Sequence, residues 1–322
     1  MNDEMAGEIR HTIGATGTFV LRTVSGNVEI EGTDGDEAIV SAKGGNGHGG
    51  MPPLTVERTE NALRVEPERR ASGLFGTSLG RLGVASVDFR VLVPRSARVE
   101  ISAVSADVAG RDLHGDQSYR EVSGDLTLDD VSGRIALTTV SGDASVMATQ
   151  PMELNATTTS GDIEIAGGRL DLLRARSVSG DIQLSGELVP GPEHRVETVS
   201  GDLRLQSSGG LTVEASGPAV AVRSELSRLT GKMPDQRSLI IGDGAARLKF
   251  RSLSGDVHVH GARRVVTAEP AEPPFAPPPP RPEAPPQPPP PPRDSLDVLR
   301  ALERGEIDVD EASRLLEVPD RG

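Results

Sequence analysis

Cysteine is absent from the 322 residues, which excludes disulfides, thiolate metal sites and cysteine nucleophiles. Tryptophan is absent too, and one tyrosine and five phenylalanines are the only other rings. A core this poor in aromatics is thin and built from Val, Leu, Ile and Ala, and the chain offers no platform for stacking sugars. Positive charge is scarce: 34 Lys and Arg stand against 48 Asp and Glu, a net charge of −14. That argues against nucleic acid or an anionic membrane as the main partner, because both need clustered cations. No apolar run reaches the roughly 18 residues of a membrane span. The opening MNDEMAGEIRHTIGATGTFV has acidic residues where a secretory signal needs basic ones, and no apolar stretch follows. The expectation is a cytoplasmic chain, in which the sequon at Asn155-Ala156-Thr157 is idle.

What is present is repetition. VSGD occurs at Val122, Val140, Val178 and Val199, with near copies at Val24, Val104, Val131, Thr159 and Leu253. From Val104 the steps are 18 (104→122), 18 (122→140), 19 (140→159), 19 (159→178) and 21 (178→199). A near-constant step signals stacked coils. VSGR at Val131 and LHGD at Leu113 fall halfway between copies, so each coil holds two strands. After each SGD, apolar residues alternate with polar ones, as in Leu126 and Leu128, Ile163 and Ile165, Ile182 and Leu184. Period-two alternation places one face inward. The predicted fold is all-β: a parallel β-solenoid (β-helix) of about 19 residues per coil and two strands per coil. Gly124, Gly142, Gly161, Gly180 and Gly201 mark its corners, where a side chain would crowd, and Ser and Asp suit those corners by bonding local backbone. At the amino end, LTVERT and ALRVEPE read as strands joined around Glu60-Asn61. The 80 residues from Val24 to Val104 equal about four steps, so excursions are expected to replace coils there. Ala215 lies 16 past Val199 and 38 before Leu253, which places its coil between them. The amino-terminal strands and the segment near RRVVTAEP are the expected covers of the ends.

Three domains follow: a solenoid over residues 1–268, a Pro-rich linker over 269–293 and a helical segment over 294–322. The linker, EPAEPPFAPPPPRPEAPPQPPPPPR, is an extended polyproline II spacer, with a PxxP ligand as the other reading. In the tail, Leu296, Leu299 and Leu302 recur at helical spacing, Gly305 ends that helix, and Asp308 with Glu311 caps a second. Ile307 and Ala312 form a staple, and Leu315 and Leu316 complete the apolar face. This α-hairpin is too small to fold alone, so it docks on another copy, on the main domain or on a partner protein.

The recurrent VSGDI motifs, the lead-in VDFRVLVPRSARVEISAVSADV and the tail LRALERGEIDVDEASRLLE resemble the bacterial presumptive-adhesin β-strand-repeat proteins. That domain-of-unknown-function family includes LiaX-like and YvlB-like envelope-stress proteins. The resemblance covers most of residues 15–265 and the tail hairpin. It implies the repeat architecture, an envelope-stress or surface-maintenance context, and no catalytic residues or cofactor.

Several patterns carry chemistry on paper. Asp107, Asp125, Asp143, Asp162, Asp181 and Asp202 form a stacked row, either a turn-capping ladder or a weak candidate for Ca²⁺. His258 and His260 share one strand face, without an evident third ligand. GTSLG (Gly76–Gly80) matches G-x-S-x-G, and GNGHGG (Gly45–Gly50) matches G-x-G-x-x-G; each lies in a Gly-rich loop without the helix its chemistry needs. The reading is a non-enzymatic scaffold without cofactor, whose hairpin recruits a protein or self-associates. The alternatives are a bactofilin-like polymer, favoured by uncapped ends, and a carbohydrate-binding or carbohydrate-active solenoid, favoured by a shallow carboxylate-lined groove.

Overall fold

A computed structural model describes residues 8–44, 52–68, 86–224, 232–235 and 238–261. The linker, the α-hairpin residues, GTSLG, GNGHGG and RRVVTAEP lie outside them. The described residues are all-β. The chain opens with β1 (Glu8–Thr12), β2 (Thr18–Arg22), β3 (Ser25–Thr33) and β4 (Glu37–Gly44). Then come β5 (Leu54–Thr59), β6 (Ala62–Pro67) and β7 (Val87–Pro94). The repeats supply β8 (Arg98–Leu113), β9 (Gln117–Ser123), β10 (Leu126–Thr138), β11 (Ala144–Ser160), β12 (Ile163–Ser179), β13 (Ile182–Leu188), β14 (Glu193–Ser200) and β15 (Leu203–Ser207). The end holds β16 (Leu211–Ser216), β17 (Val222–Ser224), β18 (Lys232–Asp235), β19 (Ser238–Ile241), β20 (Ala246–Arg251) and β21 (Val257–Gly261).

Parallel pairing runs in two lanes, as in a solenoid. In the first lane Val99 pairs with Gln117, Gln117 with Ile135, Ile135 with Leu154 and Leu154 with Leu173. In the second, Val108 pairs with Leu126, then Leu126 with Ala144, Ala144 with Ile163, and Ile163 with Ile182. The chain turns from the first lane to the second at each SGD. Inward residues stack into aliphatic columns: Leu126, Leu128, Ile163, Ile165, Ile182, Leu184, Leu203 and Leu205 are all buried. Burying each such side chain contributes about 1.5–3 kcal/mol. The described aromatics, Phe19, Phe89, Tyr119 and Phe250, are all inside this core.

Both ends depart from sequence order. The coil of β2 and β3 lies directly against β8: Val20 pairs with Glu100 and Val28 with Val108. Among the described residues no coil stands between β3 and β8, in line with the excursions expected from the spacing. The intervening strands instead stack on the outer side, β6 on β2 and β7 on β3. At the other end, β20 and β21 insert between β14–β15 and β16–β17: Val196 pairs with Phe250, and Leu248 pairs in turn with Val213. The coil containing Ala215 is therefore outermost and not intermediate. A step count sees only sequence distance, and a returning strand that slots into an open edge satisfies the same backbone groups.

The outer edges turn antiparallel. β5 runs against β6, β4 against β7 and β1 against β4. At the far end β19 runs against β16, and β18 against β19. Among the described residues the far edge of β16 is covered by the β18–β19 hairpin. These strands interrupt the parallel template that a solenoid end would offer to another copy.

Candidate functional site: the repeat corner

At every SGD the chain crosses from lane to lane, and five residue positions stack into five rows. The first row points inward and is polar at all levels but that of Ala103: Thr23, Glu121, Thr139, Thr158, Ser177, Thr198 and Ser252 are all buried. Thr139 Oγ1 donates to Thr158 Oγ1 at 3.0 Å, and Thr198 Oγ1 to Ser252 Oγ at 2.9 Å. The second row points outward and is aliphatic: Val104, Val122, Val140, Val178, Val199 and Leu253 are exposed, from 44% (Val104) to 59% (Leu253). Thr159 interrupts it and is exposed. The third row is exposed serine, as at Ser123, Ser141 and Ser160.

Glycine forms the fourth row. Gly124, Gly142, Gly161, Gly180 and Gly201 all have positive φ, between 118° and 150°. A Cβ on Gly142 would sit 2.0 Å from the Gly124 carbonyl oxygen, and the neighbouring levels are as tight. The corner therefore needs glycine twice over, for its backbone angle and for the approach of the next coil.

Aspartate is the fifth row. The backbone N–H of Asp125 donates to Asp107 Oδ1 at 3.0 Å, that of Asp143 to Asp125 Oδ1 at 3.0 Å, and that of Asp162 to Asp143 Oδ1 at 2.8 Å. The chain of bonds continues through Asp181, Asp202 and Asp256 at 2.7 to 2.8 Å. Each carboxylate thus spends one oxygen on an N–H that the corner leaves without a ladder partner. Nitrogen-bearing side chains approach the other oxygens toward the far end: the guanidinium of Arg204 meets Asp181 at 2.8 Å and that of Arg223 meets Asp256 at 2.8 Å, and the His258 ring lies 3.7 Å from Asp202. His258 and His260 stand on β21 beside this row. A shallow groove over the second lane is lined by Asp125, Asp143, Asp162, Asp181 and Glu164, with Thr127, Ser145 and Gln183.

Three features escaped the sequence reading. Glu121 is 3% exposed, and neither carboxyl oxygen has a hydrogen-bond partner. Burial, aided by the charges of Asp107 and Asp125, pushes its pKa up to about 8. Its signal was present as the one acidic member of a Thr/Ser column. His194 also sits in the core: Nδ1 accepts from the Leu173 N–H at 3.1 Å, and Nε2 lies 2.9 Å from the Val189 carbonyl. Burial lowers its pKa, and the Val189 contact opposes that only in part. At the opposite corner, Asp112, His114 and Asp130 bring ligand atoms within 4.8 Å of one another. Arg95 already supplies a cation there, with Nη2 at 2.6 Å from Asp112. The hairpin residues Leu296, Leu299, Leu302, Ile307, Ala312, Leu315 and Leu316 lie outside the described residues. Among the described residues no helix is long and apolar enough to cross a membrane.

Solved structures of similar architecture include a presumptive adhesin from Bacteroides fragilis. It is 12% identical and has a TM-score of 0.37, over 80% of this chain and 98% of that one. Another is a presumptive adhesin from Parabacteroides distasonis, 12% identical with a TM-score of 0.33, over 81% and 98%. A presumptive cell adhesion protein from Clostridium sporogenes is 10% identical with a TM-score of 0.28, over 80% and 100%. Likeness at this level carries no argument about what this chain binds. No curated protein sequence matches. The Toastrack DUF4097 family model matches residues 19–260, which span both lanes and all the repeat corners, and the chain therefore belongs to the Toastrack family.

Proposed function

We propose that the chain is a non-enzymatic scaffold in a cytoplasmic setting. Its solenoid presents repeated rows to other macromolecules, and the tail hairpin, residues 294–322, recruits a partner or self-associates. The observation that carries this reading is the corner. Its acidic groups are engaged as backbone caps, while an aliphatic row is offered to solvent level after level. The antiparallel end strands disfavour the bactofilin-like alternative, which needs open parallel ends. The envelope-stress context is supported by the family resemblance of the repeats and tail.

The test compares the full chain with a Leu299→Glu/Leu316→Glu variant by size-exclusion chromatography with light scattering and by co-purification from cell extract. The variant is expected to lose either oligomeric mass or a co-purifying protein. The same mass and the same co-purifying proteins overturn the role of the hairpin. The carbohydrate-binding alternative has one observation in its favour, the carboxylate-lined groove over the second lane. The described aromatics are all buried, which leaves sugars no stacking surface there. Calorimetric titration with neutral and basic oligosaccharides decides it.

A further inference from the structure

The exposed aliphatic row needs a physical reason. An outward strand position tolerates threonine as readily as valine, and the row uses threonine once, at Thr159. At Val104, Val122, Val140, Val178, Val199 and Leu253 it uses a purely aliphatic residue and leaves it in water. Coils stack at about 4.8 Å, so the seven levels of the row run roughly 29 Å along the axis. One side chain wide, it covers about 300 Å², the size of a functional apolar patch on a monomer.

A partner that covers such a row fully must repeat at the same spacing, and a second copy of this chain does so by construction. The flanks then decide the orientation. On the first-lane side, two residues before the row, stand Arg120, Arg176 and Arg251, all exposed. Arg120 and Arg251 have no carboxylate partner among the described residues. On the second-lane side, three residues after the row, runs the Asp row, with Asp125, Asp181 and Asp256 at the same levels; Asp181 and Asp256 already meet Arg204 and Arg223 of their own chain, so Asp125 opposite Arg120 is the charge pair the contact newly completes. A two-fold axis parallel to the solenoid lays the Arg flank of one copy over the Asp flank of the other. A two-fold axis across the solenoid reverses the levels and lays the Asp row of one copy on the Asp row of the other, which costs energy along its whole length. The remaining levels of that flank carry the neutral Ser102, Thr138 and Thr157, and Glu197, which sets a carboxylate over Asp202 and is held by Arg176 at 2.9 Å.

We infer that two copies of this chain associate side by side and parallel through the corner row, each Val facing its own equivalent and each Arg flank facing an Asp flank. This contact is separate from the hairpin and goes beyond the scaffold reading. With both flanks included the strip, one corner wide, buries less than the roughly 800 Å² per copy of a standard interface, so the dimer dissociates on dilution.

The chain has no cysteine, so single cysteines report the geometry cleanly. Facing sheets pack about 10 Å apart, too far for a disulfide and suited to a short bis-maleimide. In the full chain, Val122→Cys, Val140→Cys and Val199→Cys are each expected to cross-link to dimer, and Thr127→Cys in the second-lane groove is not. Cross-linking at Val140 alone means an antiparallel pair and overturns the proposal, as does cross-linking at none. Sedimentation over a concentration series adds a second readout. Val178→Lys, with unchanged circular dichroism, is expected to shift the chain to monomer, while Leu299→Glu leaves this dimer in place. A mass unchanged by Val178→Lys, or abolished by Leu299→Glu alone, overturns it and assigns self-association to the hairpin.

Discussion

Glu121→Gln separates buried charge from buried shape. Glu121 is 3% exposed within the inward hydroxyl row, and both its carboxyl oxygens lack partners. Its pKa is raised to about 8 by burial first and by Asp107 and Asp125 second, against an ordinary 4.5. The native chain therefore keeps a proton that the unfolded chain has lost. Stability from this group is fully present below the unfolded value and drains as pH rises through the native one. Each pKa unit is worth about 1.4 kcal/mol, so the whole rise costs at most roughly 4–5 kcal/mol once the group is ionised. Glutamine keeps the shape and removes the charge. In urea unfolding from about pH 5 to about pH 9, the wild type is expected to lose stability relative to Glu121→Gln at up to ~1.4 kcal/mol per pH unit. Titrating groups that do not interact with Glu121 cancel in that difference. Parallel curves across the range refute the argument and show that water or a rearrangement solvates the carboxylate.

Gly142→Ala drives a Cβ against the Gly124 carbonyl at positive φ, and a loss of more than about 2 kcal/mol is expected by the same unfolding assay. Asp143→Asn keeps an acceptor for the Asp162 N–H and stays near wild type, whereas Asp143→Ala strands that N–H and costs about 1–2 kcal/mol. With one oxygen per Asp committed to backbone, Ca²⁺ or EDTA is expected to leave the melting temperature unchanged; a rise with Ca²⁺ assigns the row a cation. His194→Ala removes the partner of the Leu173 N–H and the Val189 carbonyl inside the core, and a loss of about 2–5 kcal/mol is expected in the melt. Because burial holds native His194 neutral, the wild type is also expected to weaken as pH falls below about 6.5, and the alanine variant lacks that limb.

Much of the repeat region was legible because its physics is local. Alternation assigned Leu126, Leu128, Ile163 and Ile165 to the core, and SGD assigned glycine to the corner, since a strand face and a crowded turn each leave a mark within a few residues. The same parity placed Val122 outward and Glu121 inward. Only the repeat shows it, because an exposed valine and a buried glutamate each break the rule that a lone residue suggests. The Asp row was legible as a row, but which oxygen meets which N–H depends on the next coil, 18 or 19 residues away in the chain.

Composition and period by themselves determined an all-β repeat protein with a ring-poor aliphatic core, no cysteine chemistry, glycine corners and two strands per repeat. Tertiary structure alone decided the order of the end coils. The coil of β2 and β3 meets β8 across 80 residues of sequence, and β20 and β21 slot inside β16 and β17. It also decided the antiparallel covers and the partnerless burial of Glu121. The reason is that stacking satisfies backbone groups between coils without regard to sequence distance, so any strand of the right face that reaches an open edge can complete it.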